Sequence, residues 1–95
     1  MPKGYCIVRV DVHSPEAYAQ YARAATEATK KHGGRFLARG GTYEAMEGPA
    51  RARNVVIEFD SFEAARAFYL SGDYQRAKKM REYAATVEYV IVEGA

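Results

Sequence analysis

Gly4-Tyr5-Cys6-Ile7-Val8-Arg9-Val10-Asp11-Val12, running into His13-Ser14-Pro15-Glu16, sets the architecture of the chain. Hydrophobicity in this run alternates with period two, so Cys6, Val8, Val10 and Val12 share one face of a strand and Tyr5, Ile7, Arg9 and Asp11 the other. The change to helix comes at Ser14: a serine oxygen accepts an orphan amide, proline lacks an N–H the first turn would leave unpaired, and Glu16 suits the positive dipole end. The helix should run to about Lys31, with Ala17, Tyr21, Ala24, Ala25 and Ala28 as its buried stripe. So many alanines predict close approach of helix to sheet. Lys30, Lys31 and His32 fall in the last turn, and Gly33-Gly34 supplies a left-handed helix end.

Working outward, Arg35-Phe36-Leu37-Ala38-Arg39 reads as a second strand with Phe36 and Ala38 on one face and Arg35, Leu37 and Arg39 on the other. Gly40-Gly41 marks a bulge or sharp bend, after which Thr42 to Met46 can resume the strand, and Gly48-Pro49-Ala50-Arg51 is a loop. Asn54 to Asp60 is a third strand, with Val55, Ile57 and Phe59 facing one way and Val56 and Glu58 the other. Asp60 or Ser61 caps a second helix carrying Phe62, Ala65, Phe68 and Tyr69, which Ser71-Gly72 interrupts. Asp73 can cap a third, about Tyr74 to Tyr83, and Thr86 to Val92 closes the chain as a fourth strand. Two βαβ halves joined by a hairpin give an α+β, ferredoxin-like split βαβ: a four-stranded antiparallel sheet with its helices on one face, in one domain over residues 1–95.

For a chain of 95 residues, size scaling predicts about 5,500 Å² exposed of roughly 15,400 Å² unfolded, a thin core. Lys+Arg 14 against Asp+Glu 12 leaves a net charge of +2, far from the basic footprint of a nucleic-acid module. No apolar run approaches the ~20 residues of a membrane span, no signal stretch opens the chain, and one cysteine forms no internal disulfide, which together predict a cytoplasmic protein. If Cys6, Val8, Val10, Val55, Ile57 and Phe59 meet the helices, the open face carries Tyr5, Ile7, Arg9, Val56, Glu58, Leu37 and Arg39. That face, nearly 400 Å² in projection, is too apolar for plain solvent, and a homodimer through it is expected.

Cys6, His13 and His32 lack any paired-ligand spacing, so neither a metal nor another cofactor is expected. Ser14, Ser61 and Ser71 sit at helix boundaries, where capping explains them, and Cys6 on the helix-facing side should be an inert buried thiol. Arg76, Lys78, Lys79 and Arg81 read as a solvated basic face. His13, at a strand-to-helix junction, is either a plain loop histidine or an acid/base group, and Tyr18 and Glu58 are the other catalytic candidates. Two clusters stand out for ligand binding. Arg9, Arg35, Arg39 and Glu58 form the first, with an Arg9–Glu58 pair across neighbouring strands; Tyr18, Tyr21, Tyr74 and Arg81 form the second. Arginines would hold a small anionic or carbonyl-bearing molecule and tyrosine hydroxyls orient it; the alternative is a non-catalytic dimerisation or regulatory module in which these charges are architectural.

The chain is similar to a known family in Lys3-Gly4-Tyr5, Pro15-Glu16-Ala17-Tyr18 with Tyr21, Gly33 to Gly41, Val56-Ile57-Glu58-Phe59 with Ser61, Tyr69 with Ser71 and Tyr74, Arg81, and Val90 to Gly94. It resembles the bacterial domain-of-unknown-function family thirteen-thirty of the dimeric α/β-barrel superfamily. The resemblance implies a ferredoxin-like fold and a dimer whose sheets pack into a barrel, and it implies no established activity. Superfamily relatives include cofactor-free monooxygenases, muconolactone-type isomerases and haem enzymes, but no histidine here lies in a segment matching a haem-binding motif. By that analogy an enzymatic activity would be cofactor-independent oxygenation or isomerisation, with Tyr and His as acid/base groups and Arg stabilising charge.

Overall fold

The computed structural model describes residues 2–95. Strands β1 (Gly4–Val12), β2 (Arg35–Arg39), β3 (Arg53–Phe59) and β4 (Ala85–Glu93) alternate with helices α1 (Pro15–Lys31), α2 (Phe62–Leu70) and α3 (Gly72–Met80) in the order β1-α1-β2-β3-α2-α3-β4. The sheet is ordered β2-β3-β1-β4, with every neighbouring pair antiparallel. Three helices cover one face of this sheet, the split βαβ arrangement read from the sequence. The molecule is a slab of 36 × 33 × 16 Å, only two layers thick.

The alternation in β1 acts as predicted: Cys6, Val8 and Val10 are buried under the helices with Val55, Ile57 and Phe59 of β3, opposite them in the ladder. α1 turns Tyr18, Tyr21, Ala25, Ala28 and Thr29 inward, but its alanines bring its backbone close to α3 and not, as expected, to the sheet, which the two tyrosines hold at a distance. Ala17 and Ala24 are only half-buried, while Tyr18 and Thr29 take the inner positions. Thr29 is tolerated there because its hydroxyl donates to the carbonyl of Ala25 at 2.7 Å. Gly33 ends α1 with φ +80, as its place after the last turn required.

Several details depart from the expectation. Ser14 makes no side-chain cap, although its backbone carbonyl accepts from Tyr18 N. Ser71, not Asp73, caps α3: its Oγ accepts from Tyr74 N at 3.2 Å and donates to the Phe68 carbonyl at 2.7 Å, joining α2 to α3. α3 stops at Met80, and Tyr83 takes φ +66 beyond it. Residues 41–46 form no strand and are exposed throughout, so the predicted extension of β2 is absent.

The most consequential departure is in β2. Phe36 pairs with Ile57 and Ala38 with Val56, leaving Leu37 as an extra residue. A one-residue bulge reverses the side-chain alternation beyond it. Ala38 therefore does not share Phe36's face, and Arg39, expected on the open face, pairs with Val55 on the helix-facing side. The bulge lies before Gly40, whose φ of +68 instead ends the strand.

The open face carries Tyr5, Ile7, Arg9, Val56 and Glu58, as expected, together with Val90 and Val92 of β4. Leu37, Val90 and Val92 are all among the exposed large apolar residues. The exposed area of 6180 Å² exceeds the roughly 5,500 Å² of a compact monomer by more than a tenth, an excess to which the uncovered face and the exposed residues 37–50 both contribute.

Candidate functional site

Between α1 and the sheet lies a cavity of about 40 Å³. Its walls are apolar or aromatic, from Val8, Ala25, Phe36, Val55, Ile57 and Phe68, and Tyr18, Tyr21, Tyr74 and Tyr89 line it with Thr26, Arg39 and Arg53. Arg39 and Arg53 stand at the mouth. They also line, with Ala22, Arg23, Thr26 and Glu27, a groove of about 470 Å³ on the surface outside it.

Four tyrosines form the inner wall because each falls on an inward position of its element. Tyr18 and Tyr21 are three residues apart on α1, with ring centroids 5.2 Å apart. Tyr74 opens the first turn of α3 and stands edge-on to Tyr21 at 6.2 Å, their hydroxyls hydrogen-bonded at 2.8 Å. Tyr89 is opposite Val8 on β4 and packs edge-on to Tyr74 at 5.9 Å. Arg81, the C-cap of α3, turns inward over the Tyr21 ring at 5.3 Å and donates to Tyr74 Oη at 3.3 Å. That corrects its reading as part of a solvated basic face; Arg76, in the same run, does remain at the surface, paired with Asp73.

Arg53 enters the cavity because it begins β3 opposite Val10, on the same parity as Val55, Ile57 and Phe59. Its guanidinium stacks over Tyr18 at 5.5 Å, and a Cβ on Gly40 would lie 2.4 Å from Arg53 Nη1, so the glycine leaves this side chain its space. Arg39 donates to Thr26 Oγ1 at 3.2 Å and lies over Phe36 at 4.4 Å. Three side-chain atoms in this region are buried without a hydrogen-bond partner: Arg53 Nε, Arg81 Nε and Tyr89 Oη.

Burial pushes the phenols of Tyr18, Tyr21, Tyr74 and Tyr89 above their ordinary range; for Tyr21 the neighbouring Tyr74 adds to the rise, while for Tyr74 the hydrogen bonds from Tyr21 and Arg81 partly oppose it. All four are neutral at physiological pH. They can donate a hydrogen bond or a proton to a developing oxyanion and cannot act as bases.

Of the two predicted clusters, Tyr18, Tyr21, Tyr74 and Arg81 come together. Arg9, Arg35, Arg39 and Glu58 do not. In the β1–β3 register Arg9 faces Asn54, and Glu58 faces Tyr5, so the expected Arg9–Glu58 pair does not exist. Glu58 instead accepts from Tyr5 Oη at 2.9 Å and pairs with Arg35, both on the open face. Arg9 lies 3.8 Å from Glu88 and donates to the Pro49 carbonyl. His13 is exposed, with Nε2 2.6 Å from Thr86 Oγ1, and is not among the residues lining the cavity. Cys6 is fully buried and burial pushes its thiol up. Among the described residues no group of three His, Cys, Asp or Glu side chains gathers to hold a metal ion, and no helix is long and apolar enough to cross a membrane.

The sequence reading missed Arg53 and Tyr89. Each shares the parity of inward residues on its strand, but Arg53 lies one residue before the strand expected from Asn54.

Solved structures with the same fold cover nearly the whole chain. A protein of unknown function from Rhodopseudomonas palustris aligns with a TM-score of 0.76 at 20% identity, over 99% of this chain and 83% of that one. A dimeric ferredoxin-like protein of unknown function from Jannaschia sp. CCS1 gives 0.71 at 14%, over 96% and 98%. SnoaB, a cofactor-independent oxygenase from Streptomyces nogalater, gives 0.70 at 13%, over 100% and 95%. At these identities the likeness is one of fold. No curated protein matches the chain. A family model described as Domain of unknown function (DUF1330) matches residues 3–95.

Proposed function

As the chain belongs to the DUF1330 family, a domain family defined without a function, we propose from its geometry that it binds a small anionic or carbonyl-bearing organic molecule in the tyrosine–arginine pocket. The observation that carries this reading is that Arg53 and Tyr89, which both line one cavity, each keep a buried polar atom without an oxygen or nitrogen partner, Arg53 Nε and Tyr89 Oη, the latter with only the Cys6 thiol beside it. Leaving a buried donor unmade costs about 1–3 kcal/mol each, and a ligand oxygen is the group that would recover it. Tyr18, Tyr21 and Tyr74 orient the ligand, Arg39 and Arg53 stabilise its charge, Arg81 holds Tyr74 and Tyr21 from behind, and Arg9, Arg35, Glu58 and His13 take no part.

The working unit in this reading is a homodimer of the 1–95 domain formed through the open sheet face, with Leu37, Val90 and Val92 covered. Support comes from that exposed apolar strip and from the dimeric ferredoxin-like neighbour. The single buried thiol suits a reducing, cytoplasmic setting. If the bound molecule is also transformed, the neutral phenols are the proton donors and the arginines the charge-stabilising groups, as in the chemistry open to a cofactor-independent oxygenase such as the SnoaB neighbour.

A second reading has its own observation. The cavity of about 40 Å³ holds roughly three waters, far below the ~300–1,000 Å³ of drug-sized sites. Under that reading the cluster is architectural and the protein a non-catalytic dimerisation or regulatory module. A thermal-shift screen of organic acids, aldehydes, ketones and amides decides between them. Pocket binding predicts saturable stabilisation that Arg53→Gln removes; a screen in which no compound shifts the melting temperature leaves the architectural reading.

A further inference from the structure

We propose that the molecule bound in this pocket is a carboxylate with a short apolar tail, the tail inside the cavity and the carboxylate at its mouth on Arg53 and Arg39. This rests on the pocket reading above and narrows its ligand class from any anion or carbonyl compound to one.

Charge balance is the first argument. The ion pairs of the described residues use Asp11, Glu58, Asp60, Asp73 and Glu88, and none reaches Arg39, Arg53 or Arg81. No acidic residue lines the cavity, and the groove outside has one, Glu27, against three arginines, Arg23, Arg39 and Arg53. The two guanidiniums that line the pocket, Arg39 and Arg53, have no carboxylate of the protein in an ion pair, which leaves that role to the ligand.

Polarity along the pocket is the second. The deep wall is aliphatic and aromatic, and the arginines sit at the mouth. A ligand that enters tail first leaves its charge beside Arg53, whose buried Nε has no partner and whose Nε–Nη edge matches two carboxylate oxygens. An anion pushed in head first would meet phenol hydroxyls among Val8, Val55, Ile57 and Phe68 but no positive charge, because the two guanidiniums that line the cavity also line the groove at its mouth. Size is the third argument. About 40 Å³ takes roughly three methylene-sized groups, which sets the length of the tail.

The test is calorimetric titration of the whole chain, at low ionic strength, with acetate, propionate, butyrate and hexanoate, and with butyramide as the neutral isostere. Affinity should rise about fourfold per methylene from acetate to butyrate and gain nothing further at hexanoate. Butyramide should bind at least tenfold more weakly than butyrate. Arg53→Gln should erase that preference, and Arg39→Gln, at an exposed position that folding tolerates, should reduce it severalfold. Equal binding of amide and acid overturns the carboxylate assignment and leaves the pocket reading standing. Binding that Arg39→Gln and Arg53→Gln both leave unchanged places the anion elsewhere and also overturns it. Heats that stay at baseline for the four acids, while an uncharged carbonyl compound from the screen still stabilises the protein, overturn this proposal alone; a blank in both experiments overturns the pocket reading as well.

Discussion

On the open side of the sheet Arg35 meets Glu58, Arg9 meets Glu88, and Arg51 bridges Asp11 at 2.6 Å and Glu88 at 3.1 Å. On the helix-facing side Arg39, Arg53 and Arg81 meet only rings and hydroxyls. The same residue type is thus neutralised in one layer and left unpaired in the other. Exposed pairs are worth about 0–1 kcal/mol and can be explained as surface or interface chemistry. Arg53 and Arg81 are half-buried without a counter-charge, which is a cost, and a fold keeps such groups where something binds; Arg39 joins them from an exposed position. The separation depends on the Leu37 bulge, which carries Arg39 from the first environment into the second.

Alkaline titration should give the largest effect. The phenols of Tyr18, Tyr21, Tyr74 and Tyr89 are raised by burial, so each contributes stability that is fully present below the unfolded value near 10 and is lost as pH rises above it toward the folded value. Tyr21 and Tyr89, the two raised furthest, should each cost about 1.4 kcal/mol by pH 11, about 3 kcal/mol together, and Tyr18 and Tyr74 act in the same direction. Urea denaturation at pH 8 and pH 11 measures it, and Tyr74→Phe should reduce the loss. A stability that stays flat to pH 11 would show these hydroxyls to be solvated, and with them the contrast between the faces would disappear. On the acid side the open layer offers Asp11, held below the usual carboxylate range by the Ala52 amide and Arg51, so its contribution is present above the unfolded value and lost as pH falls through the folded one.

Self-association is next in size. Val90 and Val92 face the open side opposite Ile7 and Tyr5. Placing lysine at both should weaken the homodimer at least about a hundredfold, because two ammonium groups would be desolvated in the interface. Light scattering across a micromolar dilution series reads the change. A wild-type chain that is monomeric there removes the open face as an interface and makes its paired charges ordinary surface chemistry.

Glu58→Gln separates the layers at smaller cost. It removes the counter-charge of Arg35 and an acceptor of Tyr5 Oη on a largely buried side chain, and should destabilise by about 1–2 kcal/mol while weakening the dimer. Binding of a carboxylate in the pocket should not change. A variant that keeps its dimer and loses the ligand would mean the site lies on the open face after all.

How far the sequence carried this comparison depends on which physical signal was local. Alternation in β1 and β3 and the Ser61 cap, whose Oγ accepts from Ala64 N, are written in consecutive residues and were legible. The Tyr18–Tyr21 neighbourhood follows from helical spacing for the same reason. Register is not local: nothing in the sequence says that Arg9 meets Asn54 rather than Glu58, since both pairings keep the apolar faces together. The Leu37 bulge is invisible too, because Arg35 to Arg39 alternates well enough to read as a regular strand and Gly40-Gly41 draws the irregularity to itself. Arg53 stands one residue before the strand that the alternation marks from Asn54, and the fourth strand is apolar at Val87, Tyr89, Val90, Ile91 and Val92, so its alternation does not single out Tyr89 as inward.

Tyr21→Phe is the smallest and most diagnostic change. Its ring packs between Tyr18 and Tyr74 and carries Arg81 on its face, none of which the substitution removes. Only the 2.8 Å bond to Tyr74 is lost, and Tyr74 keeps the donor of Arg81. In an architectural cluster this should cost about 1 kcal/mol of stability, the net worth of a buried hydrogen bond, and change nothing else. In a ligand pocket the same loss should be accompanied by weaker carboxylate binding, because the wall loses one hydroxyl and the Tyr74 hydroxyl loses the partner that fixes its orientation. Equal loss of stability with and without saturating butyrate would assign the tyrosines to the scaffold. A larger loss in its presence would assign them to the site.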